Sequence, residues 1–452
     1  VDKLALTEPT IPLTEQDSKS PRDFHVGRSK KMTTDTPNGL IVFDYPWWIT
    51  ASMARHYQRA CKPWRVHAVS AKAFGELLAR APAETLSSFD FIHLMTPYLA
   101  DEYRQRLEGK VPVITTIHHV ESEKQHGCAG WCDRILAICQ QWHDWLLQAG
   151  YPSARIGRIN NGVDCRAFEP TTAARRSRLR RKWHLPGDGP LYVGFSAKRT
   201  SDATGRKNIP LLEAVMTECD RRKLPVHWII RGPGWKDLVE EHGLKNCPVA
   251  YIPCAVGNRA LSQSYQVMDC YLSVSKVEGG PMPVLEAMSC GRCVLSTPVG
   301  LVPEVVVNGT NGILLETPTA DAIADHLEAL AGNRRDVEAM GAAARETVCR
   351  GRDWSATTAG LKDEYRNAID AFTRTHGARR ANGTPVRWRR RAIRETAGAD
   401  ALKTVEFTRC LNGRVGAVPT FLRHLPELAF APATWKALPR VFLRRSFDYH
   451  EF

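Results

Sequence analysis

Two glutamates with seven residues between them are the first feature with the spacing to do chemistry. They lie in residues 278–291, Glu-Gly-Gly-Pro-Met-Pro-Val-Leu-Glu-Ala-Met-Ser-Cys-Gly. Glu278 precedes a Gly-Gly-Pro turn, and Glu286 falls about one turn into the helical pattern that begins near Pro283. A loop carboxylate beside a bound sugar can accept from its hydroxyls, and one a turn into a helix can reach a ribose diol. Gly280, Pro281, Met282, Pro283 and Val284 open the helix, where the N–H groups of the non-proline residues and the dipole favour an anion. Upstream, residues 197–208 read Ala-Lys-Arg-Thr-Ser-Asp-Ala-Thr-Gly-Arg-Lys-Asn. Lys198 or Arg199, with Lys207, could converge on a diphosphate. The plain alternatives are a surface glutamate, a helix-start glutamate and a solvated basic loop. For the isolated features these are preferred or equal.

Strands and helices must position these groups, and the apolar pattern supplies them. Strands are expected at 39–45, 66–70, 89–95, 111–117, 134–139 and 155–159, with helices between them. After a basic, then Pro- and Gly-rich stretch at 170–190, read as an interdomain linker, the alternation restarts. Strands follow at 191–196, 226–231, 249–252, 268–275 and 292–296, and helices at 209–220, 261–267, 319–332, 334–349 and 355–372. Regular alternation argues for parallel sheets covered on both faces, an α/β, Rossmann-like layout without a G-x-G-x-x-G fingerprint.

The chain has 452 residues, 43% hydrophobic and 24% charged, enough for two domains with substantial cores. Its net charge of +14 points to an anionic partner. The 13 cysteines are scattered, several in apolar runs, which suits buried thiols in a reducing compartment. Cys128 and Cys132 lack a second pair and are read as structural, so no metal site is expected. No apolar run reaches the length of a membrane span, and no signal peptide is expected at the first residues.

The 278–291 stretch resembles the E-x7-E signature of the retaining family 4 glycosyltransferases. The surroundings agree in order. Asn160-Asn-Gly-Val-Asp164 resembles the family's P-N-G-V-D. Val193-Gly-Phe-Ser-Ala-Lys-Arg with Arg206-Lys-Asn resembles its phosphate site, and Thr297-Pro-Val-Gly-Leu-Val-Pro-Glu-Val-Val its T-x-V-G-G-x-P-E-V-V. The resemblance implies a GT-B fold, two Rossmann-like domains facing across a cleft, over roughly residues 40–370. It implies a loose extension at 1–38, an acceptor-side domain at 39–170, a donor domain at 186–353, a helix crossing back at 354–373 and a basic aromatic extension at 374–452.

By the same resemblance Glu278 contacts the donor sugar, the backbone of 280–284 holds sugar and diphosphate, and Glu286 binds the ribose. Lys198 or Arg199, with Lys207, neutralises the diphosphate without a metal. His118, at the carboxyl end of a strand, lines the reaction centre; a purely structural strand-end histidine is its alternative. The implied donor is a UDP- or GDP-sugar, used as co-substrate with no cofactor. The acceptor is a glycan or lipid-linked glycan. Three departures stand out: Pro281 and Leu301 replace glycines, and Asp44-Tyr-Pro-Trp-Trp-Ile-Thr50 replaces a Gly-Gly loop. Trp47 and Trp48 are expected either to border the acceptor pocket or to pack that loop onto the core.

The arginine-rich 374–452 segment reads as a solvated tail, an attachment to an anionic membrane surface, or a nucleic-acid arm; the glycosyltransferase context favours the membrane. Location is therefore expected to be cytoplasmic, peripheral on the inner face of the membrane. A nucleotide-sugar epimerase and a non-catalytic nucleotide-sugar or polyanion-binding protein are the rival functions.

Overall fold

The computed structural model describes residues 36–377 apart from 47, 81, 121–126, 128, 188, 200–204, 236 and 253–256. The expected terminal extensions lie almost wholly outside the described residues, as do Trp47 and Cys128.

Two six-stranded parallel sheets form the frame. The first holds β1 (Asn38–Phe43), β2 (Arg65–Ser70), β3 (Phe91–Leu94), β4 (Val113–Ile117), β5 (Arg134–Ala137) and β6 (Ile156–Arg158), in the order β2-β1-β3-β4-β5-β6. The second holds β7 (Leu191–Ser196), β8 (Val226–Arg231), β9 (Val249–Ile252), β10 (Cys270–Ser273), β11 (Cys293–Ser296) and β12 (Ile313–Leu314), in the order β12-β11-β10-β7-β8-β9. Helices cover both faces, so β1, β4, β5, β8 and β11 are buried along their whole length. Such strands read as continuous apolar runs, which is why they stand out in the sequence.

In the second sheet the strand order reverses between β7 and β10, which pair through Cys270 and Val193. The connections leaving these neighbours go opposite ways, to helices Ile209–Arg221 and Met282–Ser289. A crevice therefore opens at their carboxyl ends, the usual ligand position in an open α/β sheet.

The linker differs from expectation in holding a helix, Ala173–Lys182. Thr172 caps it, its hydroxyl accepting from Arg175 N–H at 3.3 Å. Only Leu179 and Arg180 of this helix are buried. Arg180 lies over the Tyr192 ring at 3.9 Å and donates to Asp269 at 2.9 Å, so an ion pair does the work that apolar periodicity does elsewhere.

The chain crosses between domains a second time near Asp353. There Val163 N–H donates to Arg352 O at 2.8 Å and Trp354 N–H to Val163 O at 3.3 Å, pairing the two crossings side by side. The expected helix over 355–372 is two pieces, Trp354–Thr357 and Leu361–His376. Thr358 Oγ1 bonds back to Trp354 O at 2.5 Å and Gly360 follows, which ends the first piece. The second piece packs on β3, β4 and β5. Its Tyr365 hydroxyl meets the buried His93 ring at 3.0 Å, and Glu364 accepts from Arg134 at 2.6 Å. Every described cysteine is a free thiol, and all but Cys349 are buried.

Candidate active site

The loop after β10 places Glu278 almost out of solvent, 7% exposed. Burying a carboxylate is costly unless it is paired. Here one oxygen accepts from Lys207 Nζ and from Ser275 Oγ at 3.1 Å, and the other from Arg206 at 3.1 Å. Arg206 was quoted from sequence within the motif resembling the phosphate site, but it was given no role of its own beside Lys207. Arg199 points elsewhere. Its guanidinium donates to Glu213 at 2.6 Å and to Glu241, and lies 5.8 Å from the Trp235 ring. Lys198 is half-buried just past β7.

Past Glu278 the backbone runs against the first domain. A Cβ on Gly279 would stand 1.4 Å from the carbonyl oxygen of His118, and one on Gly280 2.1 Å from Asn161 Nδ2. Only glycine admits this approach. Asn161 Nδ2 donates to Gly280 O at 3.3 Å, and Trp142 Nε1 to Glu278 O at 3.0 Å. Gly300, at φ 59°, turns the next loop beneath, and Leu301 N–H donates to Gly279 O at 2.8 Å. Leu301 thus keeps a backbone role where the family pattern has glycine, and its side chain is fully buried.

Helix Met282–Ser289 begins at Pro281, whose missing N–H costs nothing at a helix start. Pro281, Pro283 and Val284 line the crevice with Ser196, Ser275 and Lys207. Met282 packs against apolar clusters of both domains.

Glu286 is 7% exposed on the same helix. Tyr265 donates its hydroxyl to Glu286 Oε2 at 2.6 Å. Arg231, at the end of β8, in turn donates to the Tyr265 oxygen at 2.6 Å and to Ser264 Oγ at 2.7 Å. Burial raises the Tyr265 hydroxyl well above its ordinary pKa, so it stays a donor. Burial alone would weaken the charge on Arg231, but Tyr265 and Glu286 beside it more than offset this. Sequence reading missed Arg231 and Tyr265, since neither sits in the stretches quoted for chemistry.

His118 follows β4. Its Nε2 donates to Met95 O at 2.7 Å, which leaves Nδ1 as the lone-pair nitrogen. Burial pushes its pKa down to about 4, so the ring is neutral near pH 7. At the end of β1, Asp44 accepts from the hydroxyls of Thr50 and Tyr98. Tyr45, Trp48 and Tyr98 are exposed around it, with the Tyr45 and Trp48 rings 6.3 Å apart. Trp48 is thus on the surface rather than in the core. Among the described residues no group of three His, Cys, Asp or Glu side chains is placed to hold a metal ion.

Two family models match, one on each sheet. Residues 42–167 match Glycosyltransferase Family 4, and residues 202–347 match Glycosyl transferases group 1. Among solved structures, Anabaena HepE in complex with UDP-glucose superposes with a TM-score of 0.58 at 16% identity, over 73% of this chain and 99% of that one. The fold is that of the GT-B glycosyltransferases.

Sucrose-phosphate synthase from Thermosynechococcus elongatus is a second GT-B neighbour, with a TM-score of 0.60 at 16% identity over 74% of this chain and 100% of its own. Similar sequences include a sulfoquinovosyl transferase of Arabidopsis thaliana, 28% identical over 51% of this chain and 43% of that protein. Another is a GDP-mannose-dependent α-(1-6)-phosphatidylinositol monomannoside mannosyltransferase of Mycobacterium tuberculosis, 28% identical over 48% of this chain and 57% of that one. The chain spans about half the length of the curated relatives it matches. In GT-B terms, the Glu278 loop belongs to the second domain and His118 to the first. The structure brings together His118, Glu278, Gly280 and Met282 at the domain boundary, with Lys207, Pro281, Pro283 and Val284 in the crevice; Glu286 lies deeper in the second domain, and Arg199 is turned away.

Proposed function

We propose that the protein is a retaining glycosyltransferase that moves a sugar from a nucleotide diphosphate sugar to an acceptor hydroxyl without a metal. The observation that carries this reading is the pairing of buried Glu278 with Arg206 and Lys207 at the switch point of the second sheet, against the His118 strand end. With donor bound, Glu278 accepts from the sugar hydroxyls, and Glu286 accepts from the ribose. Lys207 and Arg206 turn from Glu278 toward the diphosphate. Together with the amino end of helix Met282–Ser289 they stabilise the charge that develops as the sugar–phosphate bond breaks. The acceptor oxygen bonds to the anomeric carbon from the face the phosphate leaves. That geometry sets the acceptor proton beside the departing phosphate oxygen, its shortest path. No covalent sugar–enzyme step is assigned.

Residues 186–353 serve as the donor domain and 39–170 as the acceptor side, where exposed Tyr45, Trp48 and Tyr98 offer faces on which a sugar can stack. The relatives' names support a UDP- or GDP-sugar donor and a glycan or lipid-linked acceptor; on this reading the protein works at the cytoplasmic face of a membrane. No described helix is long and apolar enough to cross one. Attachment through 374–452 is tested by flotation with anionic liposomes. The reaction is tested by incubating the protein with labelled UDP- and GDP-sugars and an acceptor panel, with and without EDTA, and reading the product anomer by NMR. Inversion, or loss of turnover in EDTA, would overturn the corresponding part. No transfer, with neither UDP nor GDP raising the melting temperature, would overturn the whole.

A further inference from the structure

The opposite edge of the second sheet holds a concentration of guanidinium groups that the donor site does not use. Asp269 and Arg292 stand just before β10 and β11, at the amino ends of the strands. The two oxygens of Asp269 are shared by three arginines: Arg180 at 2.9 Å, Arg334 at 2.8 Å and Arg176 at 3.4 Å. Arg292 is 5% exposed and donates only to neutral carbonyls, of Cys290 at 3.0 Å and Met268 at 2.9 Å. Arg345 likewise donates to the carbonyls of Phe168 at 3.1 Å, Cys165 at 3.4 Å and Ser289. Among the described residues, three arginines thus share one buried carboxylate, and two more, held by backbone carbonyls, line the cavity it borders.

Buried charge of one sign normally finds a counter-charge. Arg176, Arg292 and Arg345 line a cavity of about 350 Å³, with Thr171, Ala342, Glu338 and Asp269 at its wall, the last already paired with three arginines. That size lies within the roughly 300–1,000 Å³ range of small-molecule sites. Thr171 Oγ1 is buried in this wall with no hydrogen-bond partner in the protein, as is Arg334 Nη1 beside it. Glu338 is exposed, so water screens its charge. The cluster weakens its own members: burial, then the charge of Arg176, lowers the Arg292 pKa to about 10. A bound anion would reverse that. Arg178, Arg181 and Lys182 on helix Ala173–Lys182 are exposed and add positive field outside the cavity.

We propose that this cavity is a second anion site, built for a phosphoryl group of a small phosphate ester, on the face of the second domain away from the donor crevice. Arg176, Arg292 and Arg345 supply the charge, and the Thr171 hydroxyl supplies a donor. A soluble phosphate ester and a phospholipid headgroup share this chemistry.

Two probes separate the sources: inorganic pyrophosphate by calorimetry, and vesicles containing phosphatidic acid by flotation. Both use the full chain carrying Lys207→Ala, which disables the donor loop. Ala342→Glu places a carboxylate in the cavity from an exposed helix face without removing any arginine. Arg176→Gln removes one of the three cations that line the cavity. Both variants are expected to bind at least one probe about tenfold more weakly or worse, with an unchanged melting temperature in the probe's absence. Loss for pyrophosphate assigns a soluble ester, and loss for vesicles alone a headgroup. Binding of neither probe, or equal binding by Ala342→Glu and its parent, overturns the proposal. If Arg176→Gln unfolds, Ala342→Glu still decides.

Discussion

Trp142, on the first turn of a helix of the N-terminal domain, donates its indole N–H to the carbonyl of Glu278 across the domain boundary, at 3.0 Å. The bond ties the orientation of the donor loop to the contact between domains. A loop held this way reaches working geometry only when the two halves are together. Trp142→Phe keeps most of the buried ring and removes the donor. Loss of one such bond is worth about 1 kcal/mol, so kcat/KM for the donor should fall about fivefold, measured by initial rates. An unchanged value would mean the loop orders itself without the indole.

Gly279 gives a sharper test of the same closure. The atom a Cβ would strike is backbone, the His118 carbonyl, so no rotamer change relieves it. Gly279→Ala should leave each domain folded while holding them apart. Turnover should drop by about 100-fold or more, the usual scale when reacting groups are displaced by an ångström. Small-angle scattering should report a larger radius of gyration. Wild-type rates would show that the close approach plays no part in the reaction.

Lys207→Ala removes one of the two cations on Glu278 and leaves the buried carboxylate with Arg206 and the Ser275 hydroxyl. Loss of a charge aimed at the leaving group typically costs about 100-fold in kcat, and that is the expected fall here. Arg199→Ala is the contrasting variant. Because its guanidinium is committed to Glu213 and Glu241, it should lower stability while changing kcat less than Lys207→Ala does.

Tyr265→Phe strips the hydroxyl from Glu286 Oε2 and leaves Arg231 with one fewer partner. If Glu286 holds the ribose as proposed, the donor KM should rise by about tenfold with kcat much less affected, because the loss then falls on binding rather than on the transition state. Equal loss in kcat would place Tyr265 nearer the reacting atoms than the structure does.

Five described histidines link stability to pH with one sign, His67 and His227 among them, lowered by burial. Burial chiefly depresses the pKa of His118 and His56 to about 4 and of His93 to about 3, against an ordinary value of 6.5. Between these values the unfolded chain binds protons that the folded one does not. Stability is therefore full above about pH 6.5 and erodes as pH falls toward 4. Urea midpoints followed by tryptophan fluorescence should drop across that window. His118 stays neutral down to about pH 5, so a rate profile limb near 6.5 should survive His118→Asn if another group causes it and would contradict the depressed value if it vanished.

Much of the frame was legible because parallel strands covered on both faces are mostly apolar, as residues 191–195 and 228–230 are. The donor loop was legible because glycine and proline punctuate it and its helix starts one residue later. Helix Ala173–Lys182 was not: Ala-Ala-Arg-Arg-Ser-Arg-Leu-Arg-Arg-Lys has almost no apolar side, and its buried Arg180 is held by a residue far along the chain. Arg231, Tyr265 and Trp142 were illegible for the same reason, since their partners meet them only in three dimensions. Arg199 shows the converse. Its place in the chain suited a phosphate contact, while Glu213 and Glu241, on neighbouring helices, hold its guanidinium instead.

The paired crossings at Val163 and Asp353 set a mechanical limit on the molecule. Two chain passages bonded side by side resist shear and separation but still twist and bend together. They behave as a hinge pin at one end of the cleft. On the proposed function, substrate and product would be released by a swing about that pin, with the widest gap at the rim farthest from it. Bulky acceptors would enter and leave at that rim, and a cross-link there should trap whatever the cleft holds.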